Sequence, residues 1–361
     1  MRMHRRHPTT AAGLIAAAIV SAIVSAPTRA AAADPLVPAT DRQVTFVVDG
    51  TTTYGTVHVP AHHAGKRLPA ALLLPGSGPT DRNGDQLPAF PVHTLTRIAD
   101  VLDTQGVMSL RFDKYGTGQT GLGAFTGRLG ELDYPAQLRQ AAAAYALLHG
   151  QPEADRHAML LFGHSEGGLS ALLLAATVRP RPSGLALLEP LDQRFLDRVR
   201  GQQWWRIDQA RAAGEITPEQ ARQDKAGVAR VISQFRAGRP VDFGGLDPGL
   251  AAELKLFVTG YVERYMRSID AIDPAQVAGD LPHHLRTLIT CGTDDVNVPC
   301  ESTGALVATL HKIGSTGPGL VTLPSVDHEL HTPGAAVDGP LAPAAVAAIT
   351  TFTARWSHQE C

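Results

Sequence analysis

Hydrophobic and polar positions change rhythm several times along the chain, and each change marks an element. Residues 43–48 and 52–59 are alternating, β-branched runs on either side of Asp49-Gly50, the dipeptide of a tight hairpin. After them the strand-type segments become short, continuous apolar runs at 70–74, 107–112, 158–162, 184–188, 285–290 and 320–323. Between these lie helical spacings, such as Leu95, Ile98 and Leu102, and the stretches 137–148 and 169–178. Strands that are apolar at every position must be covered on both faces. Alternation of such strands with helices therefore predicts a mostly parallel sheet with helices on both sides. The pattern predicts an α/β fold with an antiparallel hairpin leading into the sheet.

Residues 191–280 break the alternation. No strand candidate occurs there; instead the spacing predicts helices over 193–213, 218–237 and 248–269. The second opens on Thr217-Pro218 with Glu219 in its first turn, a good helix start. The third carries Leu250, Leu254, Phe257, Val258 and Tyr261. An all-helical insertion in an α/β sheet reads as a cap over the sheet's carboxyl edge. The expected organisation is a core of 33–190 and 281–361, with the cap at 191–280. Trp204, Trp205, Phe195 and Phe235 are bulky groups within the cap that either form its own core or line a pocket beneath it.

The first 32 residues are read separately. Arg2, Arg5 and Arg6 precede an apolar run of about 16 residues at 11–26, and the alanines at 30–33 offer small-residue cleavage sites. This is the build of a secretory signal peptide. The run is short and alanine-rich for a membrane span, which needs about 20 apolar residues. The expectation is an exported protein with no stable membrane span after cleavage. Export makes cysteine usage informative: Cys291 and Cys300 flank a probable loop, and an oxidising compartment permits a bridge, whereas two buried thiols is the other reading. Cys361 is the last residue and is given no role.

Composition closes off some classes of function. Apolar residues at 44% against 18% charged residues leave ample material for a core. Lys and Arg total 32 against 34 Asp and Glu, so there is no basic excess to neutralise phosphates, and a nucleic-acid partner is not expected.

The chemistry is concentrated in Gly163-His164-Ser165-Glu166-Gly167, a G-x-S-x-G between an apolar strand and a Leu/Ala-rich helix. In such a turn the residues two before and two after the serine crowd one another, so both must be glycine, and the strain lifts the hydroxyl of Ser165 out of the sheet. A serine hydroxyl needs a base. His328 follows the strand candidate at 320–323 by a short loop and is the expected base, with His331 as its local rival. The acid that would hold the His328 tautomer comes from the turn Gly292-Thr293-Asp294-Asp295, with Asp295 preferred over Asp294, or from Glu189 at the end of the preceding strand. The expected oxyanion donors are the backbone N–H of Glu166 and one from the Gly-rich loop 75–84, best assigned to Ser77. His328-x-x-His331 lacks a third ligand, and no metal site or cofactor is expected. Gly116-Thr117-Gly118-Gln119-Thr120-Gly121 has the form of a dinucleotide loop, but loop-like residues rather than a helix follow it.

The segments P-G-S-G-P-T-D-R-N-G, F-D-K-Y-G-T-G-Q-T-G, G-H-S-E-G-G, G-T-D-D-V-N-V-P and V-D-H-E-L together resemble the α/β-hydrolase superfamily. Within it the chain is similar to bacterial serine esterases whose oxyanion loop reads G-S-G-P-x-D-R-x-G. The resemblance spans about residues 70–330, apart from the cap, and implies a triad of Ser165, Asp295 and His328. It also implies that the glycine loop at 116–121 is structural. Pro75 stands where many relatives have His, and Asp294 replaces a more usual non-acidic residue.

The function expected from these residues is a secreted serine hydrolase acting on a small-molecule carboxylic ester through an acyl-enzyme. A peptidase or amidase and a thioesterase or acyltransferase are alternatives on the same fold, with a non-catalytic binding protein further off. An ordinary histidine base would make activity fall as pH drops through about 6.5. The residues that bind substrate are not read from the sequence.

Overall fold

The computed structural model describes Met1, Met3 and residues 34–357; the rest of the segment expected to be a signal peptide, and Cys361, lie outside the described residues. The fold is that of residues 35 onward. Short strand β1 (Leu36–Val37) precedes the hairpin β2 (Thr40–Val48) and β3 (Thr51–Val59), which pair from Thr40↔Val59 to Val48↔Thr51. Asp49 and Gly50 turn the hairpin with φ of 49° and 75°, the doubly left-handed geometry that Asp-Gly favours. β4 (His62–His63) returns to pair with β1.

The main sheet then builds from β5 (Leu68–Leu74), α1 (Thr94–Thr104), β6 (Met108–Phe112), α2 (Tyr134–His149), β7 (Ala154–His164), α3 (Glu166–Thr177) and β8 (Gly184–Leu188). It resumes after the helical insertion with β9 (Arg286–Gly292), α9 (Gly304–Lys312), β10 (Thr316–Leu323) and α10 (Pro343–Ser357). The strand order is β10-β9-β8-β7-β5-β6-β3-β2, parallel throughout except where β3 joins β6 and β2 joins β3. The expected fold class is the one observed.

The two faces follow from strand periodicity. In β5, Ala70, Leu72 and Leu74 point into one core with Tyr145 and Leu148 of α2 and Leu172 of α3. Ala71 and Leu73 point into the opposite core, with Leu95 and Ile98 of α1 and Phe352 of α10. The chain runs from β5 to β6 on one side and then to β7 on the other. Crossovers of opposite direction leave a crevice at the carboxyl ends of β5 and β7, where ligands bind in open α/β sheets.

Between β8 and β9 come α4 (Phe195–Ala212), α5 (Pro218–Arg236), α6 (Pro248–Val258), α7 (Glu263–Asp270) and α8 (Pro274–Ala278). Thr217 caps α5 by accepting from Gln220 N–H at 3.1 Å, and Asp247 caps α6. The apolar faces of α4 to α7 form a third core around Val228, Ile232, Phe235 and Leu254. Arg236 pins the bundle, bonding Asp270 of α7 at 2.8 Å and Asp197 of α4 at 3.0 Å.

Two expectations are corrected here. The helix expected over 248–269 ends at Val258, because Thr259 is extended and Gly260 takes φ +69° before α7 starts. Trp204 and Trp205, expected in a core or a pocket, are 37% and 43% exposed; Trp204 instead donates to the carbonyl of Lys225. Phe235 is in the cap core as expected, whereas Phe195 also faces the crevice. Ala278 of α8 packs with the sheet core rather than the cap.

Candidate active site

Ser165 sits at the turn from β7 into α3 with φ 54° and ψ −122°, a backbone conformation strained for a residue with a Cβ. The flanking glycines are obligatory. A Cβ on Gly163 would lie 2.1 Å from the carbonyl oxygen of Gly167, and one on Gly167 would lie 2.1 Å from that of Leu74. The Ser165 backbone is held by Leu188, whose carbonyl accepts its N–H at 3.0 Å.

His328 and Asp295 arrive from the far end of the chain. His328 Nε2 is 3.0 Å from Ser165 Oγ, and its Nδ1 is 2.8 Å from Asp295 Oδ2. The remaining oxygen of Asp295 accepts N–H groups from Asn297 at 2.7 Å and Val298 at 2.8 Å, so the carboxylate cannot swing away. Gly292 lets the two loops meet: a Cβ there would lie 2.2 Å from the carbonyl oxygen of Val326. Asp327 stiffens the histidine loop by accepting from Glu329 and His331 N–H at 3.0 and 2.9 Å. Cys291 and Cys300 form a disulfide that closes the loop carrying Asp295, which decides between the two readings of that pair.

The rival residues lie elsewhere. Asp294 is exposed and accepts from Thr293 Oγ1. His331 is buried, with Nε2 unpartnered, and makes no hydrogen bond to Ser165 or Asp295 among the described residues. Glu189 is fully buried behind Asp295 and accepts the N–H of Gly292 at 2.8 Å. Burial, then the charge of Asp295, pushes Glu189 up to about 8, so it is protonated at neutral pH and adds no second negative charge. Burial pushes Asp295 up too. The His328 charge, its hydrogen bond and the two backbone donors outweigh that and hold Asp295 below the ordinary carboxylate range.

For His328 itself burial favours the neutral ring. Asp295, by charge and hydrogen bond, with the charge of Glu329, outweighs burial and raises it to about 9. Neighbouring His164 is lowered, first by burial, and places Nε2 2.7 Å from the backbone carbonyl of His328. His164, His328 and Glu329 bring ligand-type atoms together, but both His328 nitrogens and the His164 Nε2 are already engaged in hydrogen bonds.

The loop after β5 crosses over Ser165. A Cβ on Gly76 would lie 3.2 Å from Ser165 Cβ and 3.7 Å from its Oγ, so a side chain there would crowd Ser165. The Ser77 carbonyl accepts from Thr80 Oγ1 at 2.7 Å and Gln86 Nε2 at 3.0 Å. Arg82 anchors the loop through a buried two-pronged contact with Asp113, at 3.0 and 2.7 Å. The glycine loop at 116–121 wraps that same carboxylate. Gln119 N–H donates to Asp113 at 2.9 Å, and a Cβ on Gly118 would overlap the carboxylate at 2.3 Å. Its glycines make room for Asp113, and no helix opens at Gly121.

Glu166 begins α3, where backbone N–H groups have no intrahelical acceptor and the helix dipole favours negative charge. Its carboxyl group is buried, receiving Tyr265 Oη at 2.8 Å and Gln137 Nε2 at 3.4 Å. Sequence reading missed this cluster and also Lys114, whose Nζ donates to the carbonyl of Gly76 at 2.5 Å. The signal was present in Phe112-Asp113-Lys114-Tyr115, since a lysine between a buried strand and a glycine loop has little access to water.

Two cavities meet over this edge. One of about 250 Å³ is lined by Gly76, Ser77, Ser165 and His328, with Gln202 and Asn297 on the far side. A second, of about 630 Å³, is lined by Tyr115, Leu122, Leu132, Leu256, Tyr261 and Met266. Ser77, Glu166, Phe195 and Phe257 border both.

No protein-family model matches the chain, and no curated protein matches it in sequence. Solved structures do match in shape. Est1E from Butyrivibrio proteoclasticus, with ferulic acid bound, gives a TM-score of 0.54 at 17% identity, covering 87% of this chain and 98% of that one. An esterase of Pyrococcus furiosus gives 0.52 at 14% identity, covering 88% and 91%. The acylaminoacyl peptidase of Pyrococcus horikoshii gives 0.52 at 11% identity, covering 89% of this chain and 40% of that one. With its strand order and these likenesses, the chain has the α/β-hydrolase fold.

Proposed function

We propose that the protein is a serine hydrolase that cleaves carboxylic esters. The observation that carries this reading is the continuous hydrogen-bonded line Ser165–His328–Asp295 at the wall of a cavity. Ser165 Oγ attacks the ester carbonyl carbon while His328 Nε2 takes its proton, and Asp295 stabilises the imidazolium. The carbonyl oxygen becomes an oxyanion facing the N–H groups of Glu166 and Ser77. His328 then gives its proton to the departing alkoxide, so alcohol leaves and an acyl-Ser165 ester remains. Water, deprotonated by the same imidazole, attacks the acyl group and releases the acid.

His328 must reach the leaving oxygen, so the alcohol arm belongs in the smaller cavity that His328 lines. The acyl arm then extends past Glu166 and Ser77 into the larger apolar cavity. Each buried methylene contributes roughly 0.8 kcal/mol. Nitrophenyl butyrate is therefore expected to show a kcat/KM about tenfold or more above nitrophenyl acetate. Methyl ferulate is a natural addition to that series, given the ligand of Est1E. A flat or falling series would remove the acyl assignment. The likeness to an acylaminoacyl peptidase favours an amide substrate as second reading. Paired ester and acylaminoacyl amide assays separate the two.

The electrostatics change the expected pH dependence. A base raised to about 9 is protonated below that pH and cannot accept the Ser165 proton. Activity is therefore lost as pH falls through a limb well above the 6.5 of an ordinary histidine. A kcat/KM profile from pH 5 to 10 checks this; an acid limb at 6.5 or lower would contradict it. Export by the N-terminal signal is part of the proposal, and the disulfide beside Asp295 is in keeping with an oxidising compartment.

A further inference from the structure

Lys114 is 3% exposed, two residues past the end of β6, and lines neither cavity. Its ammonium has one hydrogen bond among the described contacts, to the carbonyl of Gly76 at 2.5 Å. The charged group facing it is Glu166, across the base of α3. Burial lowers Lys114, with Glu166 opposing; burial raises Glu166, with Lys114 opposing. Burying an amine at this depth is costly, and a partner for Glu166 alone would not require contact with the loop.

The geometry of the amide supplies the reason. Gly76 C=O and Ser77 N–H belong to one planar trans peptide, so they point in opposite directions. A donor that holds the carbonyl down toward β6 turns the N–H the other way, toward the cavity over Ser165. The next carbonyl, that of Ser77, is fixed by Thr80 and Gln86. Between these contacts the 76–77 peptide has lost its freedom to flip, although glycine at 76 would otherwise permit it.

We propose that Lys114 is the positioning residue of the oxyanion hole, aiming the Ser77 N–H by holding the Gly76 carbonyl. This rests on the serine-hydrolase reading above. Lys114 touches no reacting atom and acts through the peptide that does.

The experiment separates this role from that of a counter-charge. Lys114→Met alone leaves Glu166 unpaired, so the informative comparison is Lys114→Met/Glu166→Gln against Glu166→Gln. Glu166→Gln leaves Lys114 without its counter-charge but still a donor to Gly76, the double variant buries neither charge, and both retain the Glu166 N–H. The double variant is expected to lose a further thirtyfold or so in kcat on nitrophenyl butyrate, with KM within about threefold, since the interaction exists only with the oxyanion. Affinity for a trifluoromethyl ketone, which forms a tetrahedral adduct, should fall in parallel. Lys114→Gln/Glu166→Gln, with a shorter neutral donor, should recover part of the loss. Equal kcat in Glu166→Gln and the double variant would overturn the proposal, as would a loss tracking only a lowered melting temperature in both double variants. Wild-type protein that neither turns over esters nor reacts with a fluorophosphonate would instead overturn the hydrolase reading itself.

Discussion

Ser165→Ala is expected to reduce turnover of nitrophenyl butyrate by about a millionfold while leaving the unfolding midpoint nearly unchanged. The size follows from what is lost. Without Oγ no acyl-enzyme forms, and His328 loses the group whose proton it takes. What remains is a cavity with oxyanion donors, which in comparable enzymes still gives about a thousandfold over water. Stability should hold because alanine keeps the Cβ that the turn already accommodates, and among the described residues the hydroxyl has His328 as its side-chain partner. Strain at φ 54° is retained, since alanine carries the same Cβ. A variant within tenfold of wild type would mean that another nucleophile does the chemistry.

Asp295→Asn is the second large effect, about ten-thousandfold in kcat. An amide donating to Nδ1 selects the tautomer in which Nε2 carries the proton and cannot accept one from Ser165. The three acidic candidates should then separate cleanly. Asp294→Asn, on an exposed side chain outside the line, is expected to stay within about twofold. Glu189 is protonated when Asp295 is charged, so glutamine reproduces its shape and a donor toward Asp295. Its loss should fall far short of that at Asp295. Losing the carboxylate also removes the main support of the His328 charge, so the acid limb in any residual activity should move down from about 9. Equal losses at Asp295 and Glu189 would mean that the acid is a shared dyad rather than one residue.

Much of this was legible because each signal was local. Gly163 and Gly167 announce a turn that no other residue could form, and the apolar runs fix which strands are buried on both faces. Asp295 over Asp294 was readable only as a preference. Adjacent residues differ in direction, and direction comes from the backbone bonds to Asn297 and Val298, which the letters do not carry. The helix break at Thr259-Gly260 was hidden because apolar spacing continues through it to Tyr261. The protonated state of Glu189 and the raised His328 come from charges gathered by strands β8, β9 and β10, which no single stretch of sequence contains. The burial of Lys114 was legible in its own stretch, but its partner was not: Gly76 lies 38 residues away, after the adjacent strand β5.

The central claim is that Ser165 is the activated nucleophile, and covalent labelling tests it most directly. Native protein treated with a fluorophosphonate at pH 9 should gain the mass of one adduct, located by peptide mass spectrometry to Ser165, and the Ser165→Ala variant should gain none. Folded protein that stays unmodified, or that carries the adduct on another residue, would contradict the account.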